Sequence, residues 1–215
     1  MYKSFSNYLW TLIRFLRLGG LLLQIHPKSY LRKRGWFLSF TAKRSIDAAK
    51  NPIPWWSYGV IDFVEERLKP SLSCLEFGSG GSTVWLAHRI KSVTSIENDP
   101  NWAAIVKDFV PENVRLIELA KPENLSDEHV GKEVFDILIV DPLAHRINCA
   151  KAGLPFLSET GVVIWDNTDG SDWPEIKALM AEHGFKEISF NGLAPQEVSL
   201  SRTTIFYRTE NIFGI

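Results

Sequence analysis

From residue 73 onward, the sequence alternates short apolar runs of strand length with segments of helical pattern. The runs are apolar almost throughout, which is typical of parallel strands that helices cover on both faces of a sheet. The predicted parallel strands are 73–77, 92–96, 114–116, 135–140 and 161–165, and the predicted helices are 82–89, 101–109, 126–132, 145–156 and 174–183. The alternation therefore predicts a doubly wound α/β domain.

Two further apolar runs, 186–190 and 203–207, follow the last predicted helix. The connection between them is polar and has no helical pattern, so we predict an antiparallel hairpin at the sheet edge. The expected fold class is a mostly parallel seven-stranded sheet with a C-terminal antiparallel hairpin and an N-terminal helical extension. We assign residues 51–215 to the α/β domain and residues 1–50 to the extension.

Residues 8–18 have the pattern of an apolar helix with a narrow polar stripe, and Gly19 and Gly20 are expected to end it. Arg14 and Arg17 disfavour a membrane-spanning helix, because charges near a bilayer centre are costly. Two interpretations stay open. The helix either packs on the domain or across a homodimer, or it lies in a membrane surface, with the basic residues of segment 1–34 near anionic headgroups.

Charge and cysteine content limit the function classes. Lys+Arg 24 against Asp+Glu 25 gives a net charge of -1, which argues against a general nucleic-acid binder. Cys74 and Cys149 lie in or beside predicted buried elements, which indicates a reducing, cytoplasmic compartment and no disulfide framework. No Cys and His cluster has the spacing of zinc ligands.

A loop rich in proline and aromatic residues, 51–58, precedes the α/β pattern. Trp55 and Trp56 have two interpretations. They pin the extension onto the core, since a tryptophan side chain buries a large area, or they form a lid over a ligand that binds at the glycine turn further along the chain.

A glycine turn lies between the first predicted strand and the helix that follows it, and it contains Gly78, Gly80 and Gly81. Glycines let a ligand approach the backbone, and a helix N-terminus offers free N–H groups. Thr83 stands where a dinucleotide fingerprint has its third glycine, so the match to that fingerprint is weak. Glu97, at the end of the second strand, lies where an acid grips the ribose of NAD or of another adenosine cofactor. An NAD-linked oxidoreductase therefore stays open, although Glu76 inside the strand fits a cationic amino group better.

Three segments together, 76–83, 95–102 and 135–141, resemble class I S-adenosylmethionine-dependent methyltransferases, which have a Rossmann-like fold. The resemblance implies that the glycine turn lies under the methionine part of the cofactor with Glu76 nearby. It implies that Glu97 holds the ribose hydroxyls and that Asp141 lies at the methyl-transfer centre. The cofactor-binding residues that it implies are Glu76, Gly78, Ser79, Gly80, Gly81, Ser82, Thr83, Glu97, Asp99, Trp102 and Asp141.

Asp141 with Asp166 and Asn167 also resembles the metal triad of catechol and caffeoyl-CoA O-methyltransferases, in which oxygen ligands hold a divalent ion. That family has a lysine shortly after the acid, and this chain departs from it over residues 142–146. We therefore do not assign a metal site. The other interpretation is that Asp166 and Asn167 shape the loop that follows the fifth strand.

The candidate catalytic residues are Asp141 and His145, since a neutral imidazole just past the fourth strand is able to take a hydroxyl proton near neutral pH. A surface position at a helix start is the other interpretation of His145. The resulting hypothesis is methyl transfer from S-adenosylmethionine to an oxygen or nitrogen of a small molecule. A non-catalytic module that docks to a membrane or partner through the extension is the third alternative.

Overall fold

The computed structural model describes residues 2–15 and 18–215. Its strands are β1 (Ser73–Phe77), β2 (Ser92–Glu97), β3 (Val114–Glu118), β4 (Phe135–Val140), β5 (Leu157–Trp165), β6 (Lys186–Gly192) and β7 (Ser201–Tyr207). They form one sheet in the order β3-β2-β1-β4-β5-β7-β6. The first five strands pair in parallel, and β7 pairs antiparallel with both β5 and β6. The predicted fold class, including the C-terminal hairpin, is confirmed.

Helices cover the sheet on both faces, as the apolar strands predict. The helices are α1 (Tyr2–Phe15), α2 (Gly19–Gln24), α3 (Tyr30–Lys33), α4 (Trp36–Ala42), α5 (Tyr58–Glu65), α6 (Gly81–Ala87), α7 (Pro100–Lys107), α8 (Asp127–Val130), α9 (Arg146–Gly153) and α10 (Trp173–Glu182). One core cluster joins residues of α5 and α6 to one face of the sheet, and the other joins residues of α9 and α10 to the opposite face.

The order of strands creates a crevice at one edge of the sheet. The chain runs outward from β1 to β2 and β3, then crosses back so that β4 pairs with the other side of β1. Phe77, the last residue of β1, pairs with Ile96 of β2 and with Val140 of β4. Ligands of such sheets bind at the carboxyl ends of the strands where the winding reverses. The loops after β1, β2 and β4 therefore meet at the expected binding crevice.

The glycine pair of the extension does not end a helix, and that expectation was wrong. Gly19 and Gly20 begin α2, and the described part of α1 is Tyr2–Phe15. Glycine ends a helix by taking a positive φ, and neither of these two does so. Arg17, which the charge argument included, lies outside the described residues.

The later part of the extension is bonded to the α/β domain. The Tyr30 hydroxyl donates to Asp62 of α5 at 2.8 Å, and the Trp36 indole N–H donates to the carbonyl of Glu197 at 2.8 Å. In α1, by contrast, Ile13 is half-buried while its described neighbours from residue 7 to 15 are exposed. Across residues 2–15 and 18–215, no helix has both the length and the apolar character needed to cross a bilayer.

Candidate functional site

The glycine turn lies between β1 and α6, and its three glycines have different surroundings. A Cβ at Gly78, whose φ is 87°, would lie 2.4 Å from the carbonyl oxygen of Asp141. A Cβ at Gly81 would lie 2.4 Å from the carbonyl oxygen of Ile53. At Gly80 a Cβ would meet, in the described part of the chain, only the Trp102 ring at 4.0 Å. Gly78 and Gly81 therefore serve close backbone packing, whereas Gly80 opens onto space that a ligand can fill.

Glu76 holds the turn from below. Its side chain is fully buried in β1, and one carboxylate oxygen accepts from the Ser82 hydroxyl at 2.5 Å. The other oxygen accepts from the Thr83 hydroxyl at 2.5 Å and from the Ser95 hydroxyl at 2.9 Å. Burial raises the pKa of Glu76 to about 7, and the three hydroxyl bonds oppose that shift. The carboxylate thus ties the first turn of α6 to β1 and β2.

Glu97 holds the same turn from the side. Its carboxylate accepts from the backbone N–H of Ser79 at 3.0 Å and from the Ser79 hydroxyl at 2.7 Å. The second oxygen accepts from the backbone N–H groups of Asn98 and Asp99 at 2.9 and 3.0 Å. The two buried acids, Glu76 and Glu97, therefore fix the turn before any ligand arrives.

Asp99 and Trp102 stand on the rim of the turn. The Asp99 carboxylate caps α7 by accepting from the backbone N–H of Asn101 at 2.8 Å. The indole N–H of Trp102 donates to the carbonyl of Ser79 at 2.8 Å, and the ring is 41% exposed. This places a flat aromatic surface beside Gly80, where it is available for stacking.

Asp141 follows β4 and lies against the turn through the close approach of Gly78. Its side chain is 22% exposed. One oxygen accepts from the indole N–H of the fully buried Trp56 at 3.2 Å, and the other accepts from Arg146 at 3.2 Å. Burial raises the pKa of Asp141 to about 6, while the Arg146 charge and the Trp56 bond oppose the rise. A carboxylate with that pKa is able to accept a proton near neutral pH.

Asp166 and Asn167 follow β5, next to Asp141 in the sheet order. Asp166 is buried and accepts from the Thr203 hydroxyl at 2.5 Å. Burial and the nearby Asp141 charge hold the pKa of Asp166 well above its ordinary value. Asn167 is exposed, and its side-chain oxygen accepts from Arg146 at 2.7 Å. Among residues 2–15 and 18–215, no three His, Cys, Asp or Glu side chains are grouped to hold a metal ion.

His145 is exposed at the N-terminus of α9 and has a left-handed φ of 60°. It lines an open cleft of about 300 Å³ with Arg146, which also contacts Asp141. The structure thus places His145 at the rim of the site, while the neighbouring Arg146 reaches the carboxylate.

Sequence reasoning missed Arg146 and Thr203 and left Trp56 between two interpretations. The signal for Arg146 was a basic side chain at the helix start, five residues after Asp141. For Trp56 the structure shows an anchored side chain in the core, whereas Trp55 is half exposed. Thr203 lies far away in sequence on β7, and only the pairing of β7 with β5 brings it to Asp166.

The chain is similar to known proteins in the sequence of its central part and in its fold. Residues 75–168 match a family model described as a methyltransferase domain. No curated protein sequence matches the chain significantly. The structure resembles a proposed caffeoyl-CoA O-methyltransferase from Staphylococcus aureus, with 17% identity over 87% of this chain and 96% of that chain, and a TM-score of 0.59.

Two other solved structures share the fold. One is a precorrin-6y C5,15-methyltransferase from Geobacter metallireducens GS-15, with 15% identity, 70% and 87% coverage of this chain and that chain, and a TM-score of 0.56. The other is the O-methyltransferase TomG from Streptomyces achromogenes in complex with S-adenosylmethionine, with 19% identity, 68% and 77% coverage, and a TM-score of 0.55.

Proposed function

We propose that this chain, a class I S-adenosylmethionine-dependent methyltransferase by its domain family and fold, transfers the methyl group to an oxygen or nitrogen atom of a small molecule. The observation that carries the proposal is the open space at Gly80, with the ends of β1, β2 and β4 around it. The alternative of an NAD-linked oxidoreductase loses its support, because the domain match is to methyltransferases.

In this proposal the cofactor lies across Gly80 and the turn residues 78–83. Glu97 exchanges its bond from the Ser79 hydroxyl for bonds from the ribose hydroxyls, and Asp99 and the Trp102 ring flank the adenosine. Glu76 acts mainly through the turn, because its oxygens bond to three hydroxyls and its side chain is fully buried. The sulfonium of the cofactor supplies an activated methyl group, so the protein has to align it with the acceptor.

Asp141 is the proposed base. Its backbone carbonyl lies against the glycine turn, and the raised pKa of its carboxyl group suits proton transfer near neutral pH. A hydroxyl or amine of the acceptor gives its proton to Asp141 as its lone pair attacks the methyl carbon. His145 stands farther out, at the cleft, where it is able to pass a proton to solvent.

Calorimetry with S-adenosylhomocysteine, the demethylated cofactor, tests the proposal. The Gly80→Arg variant should lose binding while its thermal unfolding stays close to wild type, because the new side chain fills open space. Gly20→Arg is the matched control, since a Cβ there meets no described atom within 4 Å. Wild-type protein that shows no binding at high micromolar concentration, or Gly80→Arg that binds normally, contradicts the proposal. Labelled S-adenosylmethionine with fractions of small molecules then identifies the acceptor and its methylated atom.

We also propose that the extension contacts an anionic membrane surface. Before Asp47 the sequence has nine Lys and Arg residues and no Asp or Glu. In α1, large apolar side chains face solvent, including Tyr8 (75% exposed) and Phe15 (81%). Exposed apolar side chains beside an all-basic segment match the two contributions that hold an interfacial helix on lipid.

Co-sedimentation of the full chain with phosphatidylserine vesicles tests this contact. Reversing Lys28, Arg32 and Lys33 to Glu should weaken binding by more than about a hundredfold, since the three removed positive charges alone account for about 1 kcal/mol each. The same reversal at the exposed Lys107, Lys121 and Lys132 of the α/β domain is the control and should change little. Equal loss in both variants, or no binding by wild type, rejects the contact. A concentration-dependent dimer that does not bind vesicles would instead support packing of α1 between two copies.

A further inference from the structure

Arg146 links the ends of two strands. It is the first residue of α9, and its side chain is 22% exposed. One terminal guanidinium nitrogen donates both to Asp141 at 3.2 Å and to Asn167 at 2.7 Å. Those two acceptors follow β4 and β5, which are neighbours in the sheet. A single cation therefore bridges the place where the acceptor of a methyl group is expected.

A divalent ion bound at these strand ends would need the same position between the Asp141 and Asn167 side chains. The ligands of the metal-dependent resemblance are Asp141, Asp166 and Asn167. An ion bound by oxygens of Asp141 and Asn167 would lie roughly 2.0 to 2.6 Å from each, in the space where the Arg146 nitrogen now lies. Asp166, the third member, is buried and bonded to Thr203. The donor set of this chain thus does not fit a metal while Arg146 is in place.

We propose that the Arg146 guanidinium is the fixed cation of the acceptor site and replaces a divalent metal there. The inference rests on the proposed function, because it takes the β4 and β5 ends as the acceptor side. Arg146 Nε is buried and has no hydrogen-bond partner among residues 2–15 and 18–215. It is therefore a donor that an acceptor oxygen is able to use after a small side-chain movement.

The proposal specifies a class of acceptor. Guanidinium N–H groups are directional donors that recognise single carboxylate or hydroxyl oxygens, whereas the divalent ion of the metal-dependent resemblance holds two neighbouring oxygens of its substrate. The acceptor is accordingly a small molecule with an oxygen beside its reacting atom and no need for a chelating pair. Asp172 and Glu175 also line the cleft, so their carboxylates disfavour an acceptor with several negative charges.

The transfer balances without a metal. For a hydroxyl acceptor, the oxygen lone pair forms the new bond to the methyl carbon, and the carbon–sulfur bond breaks with its electron pair going to sulfur. The hydroxyl proton passes to Asp141. Arg146 keeps its proton throughout and holds both Asp141 and the acceptor oxygen in place.

Manganese binding, followed by electron paramagnetic resonance, is the test. Wild-type protein should bind no Mn²⁺ at submillimolar concentration, with or without S-adenosylhomocysteine. Arg146→Ala removes the cation and should gain a site, which Asn167→Leu in the same chain should abolish again. Arg115→Ala, a change at an exposed arginine away from the cleft, should behave as wild type. Arg146→Gln replaces Arg146→Ala if thermal unfolding shows that the latter does not fold.

Mn²⁺ binding by wild type overturns the inference, and so does failure of a folded Arg146 variant to gain a site. Methyl incorporation that a chelator stops and Mg²⁺ restores in the wild type also overturns it. Calorimetry with S-adenosylhomocysteine separates this inference from the proposed function. If wild type does not bind S-adenosylhomocysteine, the proposed function fails; if it binds and also takes up Mn²⁺, only the role of Arg146 fails.

Discussion

Glu76→Gln tests how the glycine turn is held, through the pH dependence of stability. The pKa of Glu76 rises from its ordinary 4.5 to about 7 on folding, because the carboxyl group is fully buried. A raised pKa in the folded state means that the stability due to this group is complete below pH 4.5 and is lost as the pH rises through 7. The loss is about 3 kcal/mol, at about 1.4 kcal/mol for each pKa unit.

Glutamine stays neutral at every pH and keeps two polar atoms for the hydroxyls of Ser82, Thr83 and Ser95, which are able to donate or accept. The Glu76→Gln variant should therefore lack this contribution to the pH dependence. Relative to wild type, its free energy of unfolding should increase by about 3 kcal/mol between pH 4.5 and pH 8.

Urea unfolding followed by tryptophan fluorescence at a series of pH values measures the difference, with the same m-value required for both proteins. Glu118→Gln, at an exposed position on β3, is the control and should follow wild type. If the curves of Glu76→Gln and wild type run parallel from pH 4.5 to pH 8, then Glu76 does not bury a titrating charge and the argument is refuted.

Three other substitutions test single contacts. Gly78→Ala should lower stability by more than Gly131→Ala, which should cost about 1 to 3 kcal/mol. Both glycines have a positive φ, but only Gly78 also approaches Asp141, so thermal unfolding of the two variants compares backbone strain with and without that clash. Trp56→Phe removes the N–H donor to Asp141, so the pKa of that carboxyl should rise further, which NMR titration of the carboxyl carbon detects; an unchanged value contradicts the hydrogen bond. Trp102→Phe keeps a smaller aromatic ring but loses the bond from the indole N–H to the glycine turn, so S-adenosylhomocysteine should bind about tenfold more weakly by calorimetry. Equal affinity would show that neither the bond nor the larger ring contributes to binding.

The sheet was predictable because its strands are apolar over their whole length. β1 and β4 have the predicted bounds, since both faces of these central strands are covered. β5 begins at Leu157, four residues before the prediction. Its first residues include the polar Ser158 and Glu159, which lie beyond the strongly covered part of the sheet. Apolar content follows burial, so it locates the buried part of a strand and misses an uncovered end.

The candidate site was predictable in position but not in its contacts. Strand ends placed Glu97 and Asp141 around the glycine turn, because parallel strands bring their carboxyl ends to one edge. Which of His145 and Arg146 faces Asp141 depends on the orientation of the first turn of α9, which residue type does not encode. The difference between Gly80 and Gly81 depends likewise on Ile53, whose position follows from the tertiary fold.

The contact of Ile53 with Gly81, together with the bond from Trp56 to Asp141, affects how small a working unit of this chain can be. Both partners precede β1, outside residues 75–168 that match the domain family. Thr203, which holds Asp166, lies after that segment. A shortened chain that begins at β1 would expose the back of the turn and leave Asp141 without its indole donor. The minimal autonomous fragment therefore has to begin before Ile53 and extend past Thr203.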